Sequence, residues 1–167
     1  LTMLRGRPGM PEKMPYFVSM GITGFSTMLL QVVLIIAFQS IYGYVYYKIG
    51  LIFASFMAGL SGGSLAALRR IKKNVRPERK YFNLQAALCG CCLLLPVVLK
   101  LEFVSGILFL LFSAGAGFIG GSQFVLANRI CSDKGSFAPL LYAIDLAGAC
   151  AGSLLTAAIL LPVRGVD

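Results

Sequence analysis

The sequence contains no histidine, no tryptophan and few charged residues, which are only 13% of its 167 residues. Histidine is the commonest metal ligand and the usual acid–base group near neutral pH. Its absence removes most catalytic and haem-ligating schemes that this chain could support alone. The low charge content leaves too little polar surface for a soluble domain of this length. We therefore expect a membrane protein with no catalytic apparatus in this chain.

Hydrophobic residues make up 58% of the sequence and lie in long runs. A bilayer core about 30 Å thick requires roughly 20 apolar residues for each spanning helix. The runs predict an all-α bundle of about five transmembrane helices at residues 16–163, after a polar, basic N-terminal lead-in at 1–15 and before a tail at 164–167. The predicted spans cover residues 16–40, 48–68, 83–100, 103–128 and 137–162.

The net charge of +9 is concentrated beside the apolar runs. Cytoplasmic flanks of transmembrane helices carry an excess of Lys and Arg, so the pattern predicts a cytoplasmic N-terminus and an outer C-terminus. The same pattern argues against nucleic-acid binding. The largest basic cluster is an orientation signal, or alternatively a site for anionic lipid headgroups or an acidic partner. Its residues are Arg69, Arg70, Lys72, Lys73, Arg76, Arg79 and Lys80.

Four tyrosines mark the turn after the first predicted span. Tyrosine collects at the membrane–water interface because its ring is apolar and its hydroxyl is hydrated. We therefore expect Lys48 to extend toward the outer surface beside Tyr42, Tyr44, Tyr46 and Tyr47.

Two similar segments are separated by an offset of 58 residues: GLSGGS at 59–64 and GFIGGS at 117–122. Both lie late in a predicted span that ends at a basic inner loop, so the two copies would run parallel. A duplicated helix pair would explain the match, since repeated helix pairs are common in transporters. Chance similarity between two Gly-rich spans is the alternative.

Six glycines occur in three pairs at GxxxG spacing. In lipid, small residues let helix backbones approach closely and become the main means of helix association. The pattern predicts ordinary packing inside the bundle, with a sliding interface as the alternative. The six are Gly59, Gly63, Gly117, Gly121, Gly148 and Gly152.

Asp145 is the one acidic residue placed well inside a predicted span. An intramembrane carboxylate is costly and indicates a functional role by default. It could contact Arg129, Asn128 or a ligand cation, or it could make a structural hydrogen bond to a neighbouring helix. Gln31, Gln123 and Asn128 are further intramembrane polar residues, for which interhelical hydrogen bonds are a sufficient explanation.

The cysteine cluster CGCC begins at Cys89 in the third predicted span. Zinc and iron–sulfur sites need about four converging ligands, whereas helical spacing puts Cys89 and Cys92 on one face and Cys91 elsewhere. We therefore predict small apolar fillers and no metal site. Cys131, in a predicted inner loop, is a candidate for palmitoylation.

Four segments resemble, in order, the multi-pass membrane domain of bacterial spermidine-synthase-like proteins. They are GITGFSTMLLQVVLIIAFQSIYGY, FMAGLSGGSLAAL, GGSQFVLANRI and YAIDLAGACAGSLLTAAILLP, and together they cover most of residues 17–163. The most specific positions are Tyr142, Asp145, Gly148 and Ala149. The resemblance implies an accompanying aminopropyltransferase-like domain that binds decarboxylated S-adenosylmethionine and a polyamine. No such domain lies in this sequence, so no catalytic residue is carried over.

Three functions follow from these features. The preferred hypothesis is a non-catalytic membrane subunit that anchors or scaffolds a larger complex through its Gly-rich faces. The second is a small dimerising transporter for a polyamine or another cation, suggested by Asp145, Gln31 and the helix-pair repeat. The third is the membrane module of a spermidine-synthase-like enzyme whose catalytic domain is elsewhere. We expect the inner (cytoplasmic) membrane, contact with membrane lipid, other membrane subunits or a second copy, and no cofactor beyond lipid or a quinone.

Overall fold

The computed structural model describes residues 10–43, 46–71, 77–100, 106–131 and 138–164. These residues form helices and no strand, which confirms the predicted all-α bundle. The helices are α1 (Met10–Tyr42), α2 (Tyr46–Ile71), α3 (Pro77–Lys100), α4 (Gly106–Cys131) and α5 (Ala138–Arg164).

Four segments of the described helices are long and apolar enough to cross a membrane, so the chain is a multi-pass membrane protein. The described part of α3 is not among these segments. Its first turn carries the charged residues Glu78, Arg79 and Lys80. A fifth span at 83–100 and the orientation of the bundle therefore stay predictions. The four segments are Met14–Tyr42, Tyr46–Arg70, Gly106–Cys131 and Ala138–Ile159.

The first helix begins earlier than the first predicted span. α1 starts at Met10, so the last part of the lead-in is helical. Pro11 lies in the first turn, where a helix tolerates proline because the missing N–H would have no intrahelical acceptor. Pro15 lies inside the helix. Residues 1–9 of the lead-in and residues 165–167 of the tail lie outside the described residues.

A glycine ends α1. Gly43 has a φ of 75°, a left-handed conformation that glycine adopts without steric cost and that commonly closes helices. Its N–H donates to the carbonyl of Gln39 at 2.9 Å. The chain then enters α2 at Tyr46 after a very short connection.

Two pairs of parallel helices build the bundle. α2 packs along α4 and α1 packs along α5, and these are its two most extensive helix contacts. α1 also contacts α4 and so joins the pairs, while α3 packs on α4 and less closely on α1. α2 and α4 run in the same direction, because Gly59 contacts Ala114 and, four residues later on both helices, Gly63 contacts Phe118.

The α2–α4 contact is reciprocal. A Cβ added to Gly63 would overlap the carbonyl oxygen of Phe118, and one added to Gly121 would overlap that of Leu60. Ser64 Oγ donates to the carbonyl of Gly121 at 3.3 Å, and Ser122 Oγ donates to that of Gly63 at 3.0 Å. Each of these contacts has a counterpart. Adding 58 to the number of its α2 residue and subtracting 58 from the number of its α4 residue gives the two residues of that counterpart. The two similar segments are therefore packed on each other with local two-fold symmetry.

The α1–α5 contact also brings backbones together at small residues. A Cβ on Gly148 would overlap the carbonyl oxygen of Gly21, and one on Gly152 would come 2.5 Å from that of Phe25. With Gly59 and Gly117, which face the carbonyls of Ala114 and Phe56, all six GxxxG glycines lie at contacts within this chain. Their faces are already occupied by the chain's own helices.

Two apolar clusters fill the ends of the interior. On the predicted orientation, the outer cluster contains Leu30, Leu34, Ala37, Phe38, Ile52, Phe109 and Ala116. The inner cluster contains Met20, Tyr81, Leu126, Ala127, Cys131 and Leu141. The polar side chains described below lie between and beside these clusters.

Candidate functional site

A line of polar side chains runs through the interior between α1, α3 and α4. Thr23, Thr27 and Gln31 are spaced four residues apart, which puts them on one face of α1. Gln31 is only 1% exposed, and Ser113 and Gln123 of α4 are fully buried. We name this set the polar seam. It consists of Ser19, Thr23, Thr27, Gln31, Tyr81, Gln85, Ser113 and Gln123.

Gln85 of α3 holds the inner part of the polar seam together. Its Oε1 accepts a hydrogen bond from Thr23 Oγ1 at 3.2 Å and another from Gln123 Nε2 at 2.8 Å. One turn earlier on α3, the Tyr81 hydroxyl donates to Ser19 Oγ at 3.0 Å. α3 is therefore joined to both α1 and α4 by polar bonds, although its packing against them is less extensive than that within the two pairs.

Ser113 carries the outer part of the polar seam. Its hydroxyl lies 3.0 Å from Gln31 Oε1 and 3.0 Å from the carbonyl of Ile52. One hydroxyl hydrogen serves both acceptors, so the two bonds share a single donor. The contact links α1, α2 and α4 at one point beside the outer cluster.

Two buried amide atoms of the polar seam have no hydrogen-bond partner among the described residues. They are Gln31 Nε2, a donor, and Gln123 Oε1, an acceptor. Leaving such a group unsatisfied costs about 1–3 kcal/mol, so buried polar atoms usually bind protein, water or a ligand. A bound molecule with hydrogen-bonding groups would be stabilised most by hydrogen bonds to these two atoms.

Sequence reasoning named Gln31 and Gln123 and explained them by interhelical hydrogen bonds, and both make such a bond. It missed the other six members of the polar seam, which are Ser19, Thr23, Thr27, Tyr81, Gln85 and Ser113. The four-residue spacing from Thr23 to Gln31 inside an apolar run was the signal that could have found the α1 face. No sequence signal shows which side of α3 turns toward α4.

Asp145 lies on α5 at the contact with α1, outside the polar seam. Its Oδ1 would be 2.7 Å from a Cβ added to Gly24, so the carboxylate rests against backbone. The side chain is half-buried. Within the described residues it forms no ion pair or hydrogen bond, and so the predicted contacts with Arg129 and Asn128 are not made. Arg129 is exposed near the end of α4.

The described residues of the basic cluster lie at the end of the bundle that holds Tyr81 and Cys131. Arg69 and Arg70 are exposed in the last turn of α2, and Arg79 is exposed in the first turn of α3 beside a half-buried Lys80. Lys72, Lys73 and Arg76 lie outside the described residues. We name the four described members, Arg69, Arg70, Arg79 and Lys80, the positively charged rim.

The cysteines occupy different environments from those predicted. Cys91 and Cys92 both pack against the outer cluster, whereas Cys89 is exposed; helical spacing alone had grouped Cys89 with Cys92. Cys131 is fully buried in the inner cluster because α4 extends through it, so it is not accessible for palmitoylation. In the described part of the chain, no three His, Cys, Asp or Glu side chains are placed to hold a metal ion.

Family models, curated proteins and solved structures gave no match to this chain. The polar seam, its two unpaired amide atoms and the charged rim are therefore the features from which a function can be inferred.

Proposed function

We propose that the chain is a membrane transport module that passes a small polar solute along the polar seam. The observation that carries this proposal is the pair of unpaired buried atoms, Gln31 Nε2 and Gln123 Oε1. Polar groups inside a membrane are expensive and commonly line the path of a substrate. A donor at one level and an acceptor at another offer a solute two successive hydrogen-bonding positions.

The length of the polar seam supports this function. Ser19 and Gln31 are twelve residues apart on α1, which corresponds to about 18 Å along the helix. The hydrocarbon core of a bilayer is about 30 Å thick. The seam therefore covers more than half of that thickness, and the outer cluster separates its Gln31 end from the outer surface.

The chemistry of the polar seam favours an uncharged solute. Its side chains are amides and hydroxyls, and none of them carries a charge near neutral pH. A desolvated cation would need a carboxylate beside its path. The alternative, transport of a polyamine or another cation, needs the Asp145 carboxylate. That carboxylate lies at the α1–α5 contact, outside the polar seam.

Osmotic measurements on reconstituted vesicles test the proposal. Vesicles containing the protein should swell faster in urea or glycerol than protein-free vesicles. Replacing both amides of the seam, Gln31→Leu with Gln123→Leu, should lower the protein-dependent rate by about ten-fold, the effect of losing roughly 1.4 kcal/mol of stabilisation. The matched control is Gln39→Leu, on the same helix and outside the seam.

Two outcomes would contradict a transport function for an uncharged solute. One is equal swelling of vesicles with and without protein for both solutes. The other is an unchanged rate in the double variant. A parallel measurement with spermidine uptake tests the cation hypothesis, for which Asp145→Asn should abolish uptake without lowering expression.

A membrane subunit that anchors or scaffolds a larger complex is the second candidate. α3 supports it, because the main contacts of this helix among the described residues are with α4 and α1, and it exposes Phe82, Leu93 and Leu94. The glycine faces are occupied within the chain, so a partner would contact these larger side chains instead. Native mass measurement in mild detergent should then find a complex, and a monomer alone would contradict this function.

The location and the enzymatic hypothesis remain proposals as well. The positively charged rim supports an inner (cytoplasmic) membrane, because positively charged segments are retained on the cytoplasmic side. A role as the membrane module of a spermidine-synthase-like enzyme is supported only by the four resembling segments. Co-purification with an aminopropyltransferase-like protein would test it, and its absence from the purified complex would count against it.

A further inference from the structure

A groove of about 280 Å³ opens between the end of α1 and the starts of α2 and α4. It lies on the predicted outer side of the outer cluster, and two residues of that cluster, Phe38 and Ile52, form part of its wall. Among the described residues that line it, Lys48 is the one charged side chain, and Tyr47 lies beside it. The other main lining residues are Leu51, Ile107 and Leu110.

The tyrosines beside the groove indicate that its mouth lies at the depth of lipid headgroups. Lys48 lies in the first turn of α2, next to Tyr46 and Tyr47, which are both highly exposed. Exposed tyrosines at a helix end are typical of the membrane–water interface. The Lys48 Nζ lies 5.3 Å from the centre of the Tyr42 ring, a cation–π distance that holds the ammonium group near the mouth of the groove.

Away from Lys48 and Tyr47, the described residues that line the groove are apolar. Leu51 and Ile52 are about one turn further along α2, and Leu110 is about one turn into α4. A phospholipid has its phosphate at the interface and its acyl chains in the membrane interior. The groove has the matching arrangement, with the Lys48 ammonium group at headgroup depth and an apolar surface extending from it into the membrane.

We propose that this groove binds one acyl chain of an anionic phospholipid whose phosphate contacts Lys48. Apolar contact alone gives little preference, because lipid tails are as apolar as the side chains of a transmembrane helix. The selection therefore comes from charge, through attraction between the ammonium group and an anionic headgroup.

Native mass spectrometry of the full chain tests this site. The protein is placed in mild detergent with equal amounts of phosphatidylglycerol and phosphatidylcholine of identical chains. Wild type should retain one phosphatidylglycerol in preference to phosphatidylcholine. Lys48→Gln should lower that preference by about five-fold, the effect of one basic residue near an anionic surface. Lys48→Arg should preserve it. The matched control is Arg129→Gln, which removes an exposed basic residue near the end of α4, outside both the groove and the basic cluster.

A second variant tests the groove itself without changing charge. Leu110→Trp should fill the groove and release the retained lipid while the helical circular dichroism stays unchanged. Equal retention of the two lipids by wild type would overturn the proposal, as would an unchanged preference in Lys48→Gln. Displacement of the lipid by ubiquinone at equimolar concentration would also overturn it, by assigning the groove to a quinone.

Discussion

Gln85 is the residue on which the inner part of the polar seam depends, because it accepts hydrogen bonds from both Thr23 and Gln123. Replacing it in a Gln85→Leu variant would leave the buried Gln123 amide without a partner at either end. We expect the free energy of unfolding to fall by about 1–3 kcal/mol. Unfolding in mixed detergent micelles, followed by circular dichroism, measures this change.

The control variant also removes the Gln123 amide, which Gln85→Leu leaves without a hydrogen-bond partner. Replacing both partners of a buried hydrogen bond with apolar groups is often nearly neutral. The variant Gln85→Leu with Gln123→Leu should therefore be more stable than Gln85→Leu alone, and Gln39→Leu should change stability little. Strictly additive losses in the double variant would show that the Gln85–Gln123 bond does not couple the two residues.

Single residues also show how much of the site was predictable. Gln31 and Gln123 stood out because an amide inside an apolar run is unusual. Their partners did not, because hydroxyl side chains such as Thr23 are common in transmembrane helices. Asp145 looked the most informative from sequence alone, yet it lies against the Gly24 backbone rather than in the polar seam. A sequence gives the depth of a polar residue in a helix but not the neighbour that its face meets.

Two adjacent glycines of α2 give a sharp test of the α2–α4 contact. A Cβ on Gly63 would overlap the Phe118 carbonyl, whereas the nearest atom to a Cβ on Gly62 is a Phe118 ring carbon at 3.9 Å. Gly63→Ala should therefore lower the free energy of unfolding by about 1–3 kcal/mol through overpacking. Gly62→Ala should stay within about 0.5 kcal/mol of wild type. Equal effects at the two positions would contradict the observed contact.

The local symmetry of that helix pair makes a further prediction. Gly121 occupies on α4 the position that Gly63 occupies on α2, and each faces a carbonyl of the other helix. Gly121→Ala should destabilise the chain by about the same amount, again roughly 1–3 kcal/mol. The double variant should lose less than the sum, because one separation of the helices relieves both overlaps. The same micelle unfolding measures all three variants, and full additivity would contradict a shared interface.

At the scale of helices, the sequence predicted more than it did for the site. The long apolar runs determined an all-α bundle, and the repeat at 59–64 and 117–122 predicted two parallel copies. That the copies pack on each other did not follow, because a GxxxG face is equally suited to an internal helix or to a partner. The start of α1 was also missed, because the predicted lead-in extended to residue 15, whereas α1 begins at Met10 with Pro11 in a first turn that accepts proline.

The orientation of the whole molecule decides which side of the membrane each feature faces. In the inverted orientation the positively charged rim would face the outside. That is the opposite of the usual retention of Lys and Arg on the cytoplasmic side. In a variant whose five natural cysteines are replaced by alanine, Tyr46→Cys should react with a membrane-impermeant maleimide on intact cells. Arg79→Cys should react only after permeabilisation. This pattern would place the Lys48 groove in the outer leaflet and the Tyr81 end of the polar seam at the cytoplasm; the reverse pattern would exchange them.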